Sequence, residues 1–364
     1  MRAVGAVSLV LTMGGVVPLA GCSSDSPSAP DGGADSGNPD SGNPEGGGPD
    51  SGTADAADAD GSSVACTDPT SGTTTRFAAN AVTLPVQKSD FAFDLDGDGK
   101  LDNQFGAFLG VLIGQGMDPQ ASETAAIVAG RAVLLVQETS DDPADQSDTC
   151  AGALLSVASP TSSAPKFDGT DTFTVELTSG QFRGAITAGE LVSESPATAT
   201  TPVSATLRLA LFGATSTMDL PLVGAEVELT RSGATISVGR IHGAIRQSDV
   251  QQVVVPALAA AFNAQIAANP TATSSQQLLS LFDNGGVASS ACGSTCKNLN
   301  GTCAAANDGT ISDCEVGTNS LIANLLAPDV QLYDTQGNWH PTPGGTTKDS
   351  LSVGLGFTGV AASF

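Results

Sequence analysis

Ala205-Thr206-Leu207-Arg208-Leu209-Ala210-Leu211-Phe212 is the stretch on which the fold turns. Leu207, Leu209 and Leu211 alternate with Thr206, Arg208 and Ala210. A period of two sends successive side chains to opposite faces of a strand, and so describes a sheet with one buried face. Further short runs at 132–138, 153–158, 172–177, 181–187, 225–230 and 234–241 are likewise rich in Val, Ile, Thr and Leu and separated by Gly, Ser and Pro turns. Together they predict an antiparallel sandwich or a curled sheet.

Beyond residue 245 the period changes. The run 250–268 carries Val254, Leu258, Ala261, Phe262 and Ile266 at helical spacing, with Ser248 and Asp249 available as caps and Pro270 past its end. Pro256 inside it predicts a kink or a later start. Residues 274–282 and 313–326 read as two more helices, and 329–333 and 351–364 return to strand-like alternation. The expected fold class is α+β: mainly antiparallel β-sheet, sandwich-like or curled, with a helical, disulfide-containing insertion at about 248–327 before the closing strands.

Composition narrows the function. The 364 residues carry 13 basic against 38 acidic side chains, a net charge of −25. No basic surface remains to neutralise phosphates, which excludes nucleic-acid partners. At the N-terminus, Met1-Arg2 precedes an uncharged apolar run over 3–20 that ends in Leu19-Ala20-Gly21-Cys22. This resembles a bacterial lipobox, with 1–21 as signal peptide. The resemblance implies acylation of Cys22 on its thiol and then on its new amino group. At ~0.8 kcal/mol per buried CH₂, several chains anchor firmly where one is marginal. The membrane is then a partner through the N-terminal lipid, and Ser23 after the cysteine implies the outer membrane or cell surface.

Residues 22–65 read as an acidic tether, nearly all Asp, Gly, Ser, Pro, Asn and Ala after the cysteine and including the near-repeat Asp35-Ser36-Gly37-Asn38-Pro39 and Asp40-Ser41-Gly42-Asn43-Pro44. Such a composition has too little apolar surface to offset the entropy of ordering. Its coil span is about 35 Å, extended by charge and proline. The extracytoplasmic domain then runs over 66–364. With Cys22 lipidated, Cys66, Cys150, Cys292, Cys296, Cys303 and Cys314 remain, an even set that reads as up to three disulfides in an oxidising compartment. The last four pair among themselves in one of three ways, leaving Cys66 with Cys150. The rival reading, a zinc site, has an acceptable first spacing, but its second pair is too wide.

The sharpest chemical signal is Phe93-Asp94-Leu95-Asp96-Gly97-Asp98-Gly99-Lys100-Leu101-Asp102-Asn103. Asp94, Asp96, Asp98 and Asp102 stand at positions 1, 3, 5 and 9 of a loop turned by a glycine at position 6, with the Lys100 carbonyl at 7, the spacing of a calcium loop. Each pair of carboxylates repels by up to ~4 kcal/mol at 4 Å and an effective dielectric of 20. A bound Ca²⁺ in a structural role relieves it. Position 12 is Phe105, a departure from the EF-hand, and the loop looks more like those of dockerin-like or integrin-type repeats. A weaker candidate comprises Asp283, Asp308 and Glu315, an EF-hand-like loop split by a disulfide-bonded insertion, with stapling as the alternative to the ion. A third stretch, Lys348-Asp349-Ser350-Leu351-Ser352-Val353-Gly354-Leu355-Gly356, echoes Lys100–Asn103 and the glycine-rich strand expected after it, without the ligands, and reads as structural.

The lipobox, the acidic tether, the Asp94 loop, the β-rich middle, the EF-hand-like helix pair and Ser320-Leu321-Ile322-Ala323-Asn324-Leu325-Leu326-Ala327-Pro328-Asp329-Val330 together resemble a family of uncharacterised lipoproteins of Gram-negative bacteria. The resemblance implies metal ligands in the Asp94 loop and no particular activity. Catalytic motifs are missing: there is no G-x-S-x-G, H-E-x-x-H or P-loop, and the histidines are His242 and His340. The expected function is a calcium-binding, lipid-anchored envelope protein with a structural or binding role and no enzymatic activity. The alternatives are a secreted hydrolase whose residues the sequence does not identify, and a surface adhesin for a protein or glycan with an aromatic patch near Trp339.

Overall fold

The structure is a computed structural model that describes residues 70–142, 147–161, 164–213 and 216–364. The expected signal peptide, Cys22, the tether and Cys66 lie outside the described residues. So does the whole of the first compact unit, Met1–Gly61; the second, Ser62–Phe364, holds every described element.

Among the described residues that unit contains nine strands: β1 (Thr73–Thr83), β2 (Val133–Ser140), β3 (Ser147–Pro160), β4 (Phe173–Thr187), β5 (Glu190–Ser193), β6 (Ala205–Leu209), β7 (Met218–Ser232), β8 (Thr235–Arg246) and β9 (Ser350–Ala361). Neighbours pair antiparallel in the order β5-β4-β3-β2-β1-β9-β8-β7-β6, and β5 pairs again with β7 through Glu190↔Thr230, Leu191↔Leu229 and Val192↔Glu228. That last ladder closes eight strands into a barrel, with β6 laid alongside the first half of β7. The curled-sheet expectation holds in its coarser form, and the sandwich gives way to closure. The pairs β1–β9 and β5–β7 that close the sheet join segments far apart in the chain, which no local period reveals.

Each barrel strand contributes a buried residue to one core: Phe77, Val136, Leu155, Phe182, Leu191, Leu229, Ile241 and Phe357. Eight strands leave an interior just wide enough for side chains to fill. Alternation sends the neighbours outward. Ala78, Val133 and Leu135 form a second small cluster with Phe173, and Val223 and Ala244 form a third with Leu95, Val330 and Leu332.

Helices α1 (Gln104–Gly114) and α2 (Pro119–Val128) follow β1 and pack against β9 and β1. Where the sequence suggests a glycine-rich strand, α1 is helical. Gly106 and Gly110 are four apart, and a Cβ at either would strike the carbonyl of Gln87 or Val86. They are helix-face glycines required by close backbone approach. Asn103 caps the helix by accepting from Gly106 N at 3.1 Å.

Between β8 and β9 lie α3 (Gln247–Asp249), a π-helical turn (Val250–Val254), α4 (Val255–Ala268), α5 (Thr273–Phe282), α6 (Asp313–Thr318) and α7 (Ser320–Leu325). The expected disturbance at Pro256 is this π turn, with the proline in the first turn of α4, where its missing N–H is harmless. Neither Ser248 nor Asp249 caps by its side chain. The run Gln247–Ala268 is long and apolar enough to cross a membrane by length and composition. Its Val250, Val254, Leu258 and Phe262 belong to the main core.

Candidate metal centre

The Asp94 loop is pinched at its base by a two-way bridge between Phe93 and Asp102, the Asp102 N–H donating at 2.7 Å. Asp94 organises the turn: Oδ1 accepts from the N–H of Gly97 (2.8 Å) and Asp98 (3.0 Å), and Oδ2 from Gly99 (2.9 Å). Gly97 and Gly99 have φ of +79° and +80°, a left-handed backbone that a side chain would strain. Ligand atoms of Asp94, Asp96 and Asp102 lie within 4.8 Å of one another.

Asp98, the fourth carboxylate of the predicted set, is outside that cluster. Asp98 accepts from Lys100 Nζ at 2.7 Å, and this exposed pair holds the Asp98 carboxyl below its ordinary value. Asp96, buried, meets Lys348 Nζ at 3.2 Å. Asp102 Oδ2 is buried with no hydrogen-bond partner among the described residues. Burial first, then the nearby charges of Asp329 and Asp96, push Asp102 up to about 7. Two features escape sequence reasoning: Lys348 as counter-charge, and Asp329, whose carboxylate accepts from the Ser352 N–H at 2.7 Å. Both sit in stretches that the sequence marks as ligand-poor or merely family-like.

The loop is fastened to the outer face of β7–β9. Phe91 lies over Gly354 and Gly356, whose missing side chains make the space. Asn103 Nδ2 donates to Asp90 O (2.6 Å) and Gly354 O (3.0 Å). His242 Nδ1 is 2.9 Å from Phe91 O, and its ring stacks on Phe93 at 5.0 Å. Opposite His242 in the β7–β8 register stands Glu226, almost fully buried. Burial, with Glu228 beside it, pushes Glu226 up to about 8.

The second loop is built differently. Asp283 accepts from the N–H of Asp308 (3.1 Å) and Gly309 (2.8 Å). Glu315 accepts from Gly285 N (2.7 Å) and Ser312 N (2.9 Å), completing a capping box at the start of α6. Asp308 turns back on Thr310. Disulfides Cys292–Cys303 and Cys296–Cys314 staple the insertion, which resolves the three possible pairings of these four cysteines and leaves no thiolate set for zinc. Cys150 lies in β3; its expected pairing with Cys66 involves a residue outside the described set.

The His340 ring lies 3.2 Å from the Thr342 hydroxyl, and its backbone N–H donates to Leu332 O at 2.8 Å. Trp339 donates its indole N–H to Ala199 O at 3.1 Å and presents its ring to Tyr333 edge-on. Comparison with known protein families, curated proteins and solved structures returns no match.

Proposed function

We propose that this protein is a calcium-binding β-barrel of the bacterial cell envelope, lipid-anchored through Cys22 at the outer membrane or cell surface, with a structural or binding role. The two described disulfides agree with an exported protein. The observation that carries the metal reading is Asp102 Oδ2, a buried carboxylate oxygen without a hydrogen-bond partner among the described residues, in a cluster with Asp94 and Asp96. Ca²⁺ takes six to eight oxygens in flexible geometry, so three carboxylates plus loop carbonyls and water suit it. Bound there, the ion joins the turn of the loop (Asp94, Asp96) to its base (Asp102), and that base is bonded to β9 through Asn103.

Calorimetric titration of the full chain with CaCl₂ tests this. One site with Kd of about 10⁻⁴ M or tighter is expected, lost in Asp102→Asn with the fold intact. No heat at millimolar calcium overturns it. Mass spectrometry of the mature N-terminus tests the anchor: an unmodified Cys22 removes it.

A further inference from the structure

β4 changes neighbour along one edge. Over Gly184–Thr187 it is laddered to β5, whereas over Phe173–Ser179 the same edge faces β6 with no backbone ladder between them among the described residues. Side chains bridge the seam. Ser179 Oγ bonds both the N–H and the carbonyl of Thr206, and Arg208 pairs with Glu176 while also gripping Asp219 at 2.7 Å. Just beyond Ser179 the wall parts. Gly180 kinks β4 at a φ of +68°, β5 ends at Ser193, and the chain leaves the sheet until β6 begins at Ala205. The opening is a cleft of about 550 Å³ whose floor includes Phe182, a barrel-core residue.

The rim of this cleft is chemically specific. Arg183 and Glu194 face each other across the β4–β5 hairpin, where the Glu194 N–H donates to Arg183 O at 2.7 Å, and both line the cleft with Gln181, Thr200 and Thr201. The side chains of Arg183 and Glu194 have no partner among the described residues. Elsewhere arginines are engaged: Arg208 and Arg240 bind carboxylates, and Arg246 binds Tyr333. The Trp339 N–H holds Ala199, on the cleft's own loop, in place.

We propose that this cleft binds a neutral, polyhydroxylated small molecule of mono- or disaccharide size. Its volume falls within the usual ~300–1,000 Å³ for small-ligand sites. The rim offers a guanidinium donor, a carboxylate acceptor, an amide and two hydroxyls, and each sugar hydroxyl needs both a donor and an acceptor. An anion meets Glu194 and the field of a chain carrying −25. A cation meets Arg183, and an apolar ligand strands the rim's polar groups without partners, at about 1–3 kcal/mol each. No residue of the Asp94 loop lines the cleft, although Gly97 of that loop lies beside Ala197 on the cleft's loop, so binding of the sugar is measured both with and without calcium.

Saturation-transfer NMR and calorimetry on the full chain, with maltose, cellobiose, lactose and N,N′-diacetylchitobiose as probes, test it. At least one sugar binds with Kd of about 1 mM or tighter, and Arg183→Ala and Glu194→Ala each weaken it about tenfold or more, the loss of one good charged hydrogen bond. Galacturonate and glucosamine bind more weakly than the neutral probe. If either charge variant fails to fold, the Thr200→Val/Thr201→Val pair on the cleft's loop must lose binding at an unchanged Tm. Silence across the four sugars, binding that survives these substitutions in folded protein, or preference for a charged sugar overturns the proposal.

Discussion

Two acidic loops carry similar one-dimensional patterns and relieve their charge in opposite ways. Around Asp283 and Glu315, the carboxylates accept backbone N–H groups across the gap left by the insertion, and two disulfides lock the result. Around Asp94, the backbone also turns on a carboxylate, but Asp94, Asp96 and Asp102 still converge and one buried oxygen has no partner among the described residues. A carboxylate satisfied by N–H donors has its charge offset within the chain, whereas one left facing its own kind requires an external cation or a proton. Calcium-loop spacing alone therefore does not define a metal site; the destination of each oxygen matters as well.

The disulfides of the second loop should give a large effect that leaves the first loop unchanged. Removing Cys296–Cys314, which closes a separation of 18 residues, by Cys296→Ser/Cys314→Ser costs about 3 kcal/mol in urea unfolding, and calcium affinity stays unchanged. A loss of calcium binding in that variant would show that the loops are not independent. The other group to test is a buried acid, Glu226, which stands opposite His242 in the β7–β8 register. Glu226 titrates at about 8 folded against an ordinary 4.5, so between these pH values the folded state keeps a proton that the unfolded state has lost. Stability then falls as pH rises through that window, by about 1.4 kcal/mol per unit. Melting curves of Glu226→Gln from pH 5 to 8 should show this slope reduced, with the largest gain over the parent at pH 8.

Calcium should separate the two loops directly. At about 1 mM Ca²⁺ and a Kd of ~10⁻⁴ M, the ion adds about 1.4 kcal/mol, read as a higher Tm that chelation reverses and Asp94→Ala abolishes. Glu315→Gln should lower the Tm equally with and without calcium. The smallest effect belongs to Lys348, whose ammonium sits 3.2 Å from Asp96 and competes with any metal. Lys348→Met should tighten calcium binding by a few-fold, because it removes a partly exposed ammonium that competes for a buried carboxylate. Weaker binding in that variant would make the lysine a support of the site and not its rival.

Legibility follows locality. Leu207 and Leu209 announce β6 by their alternation, Pro256 announces a fault in the helix, and Gly99 announces the turn that φ of +80° requires. The runs 172–177 and 181–187 belong to one strand, because the Gly180 kink looks like a turn in sequence yet only bends β4. Helix α1 is hidden for a related reason: Gly106, Gly110 and Gly114 suppress helix propensity, and the compensating contacts with Val86 and Gln87 are tertiary. The four-residue glycine spacing is the available clue. The alanine- and threonine-rich β1 and the four-residue β5 carry too little alternation to stand out, although both are indispensable to closure.

By itself the sequence determined what arises within a few residues of chain: strand periods, the glycine turn of the acid loop, the close spacing of the last four cysteines and the heavy negative charge. The tertiary structure alone decided that the sheet shuts on itself through β5–β7, that a lysine 252 positions away faces Asp96, and that the β4–β6 seam opens into a cleft. The physical reason is that pairing and burial depend on which distant surfaces meet. Identical local chemistry, such as a carboxylate on a turn, acquires its charge state and its role only from the donors and counter-charges the fold brings to it.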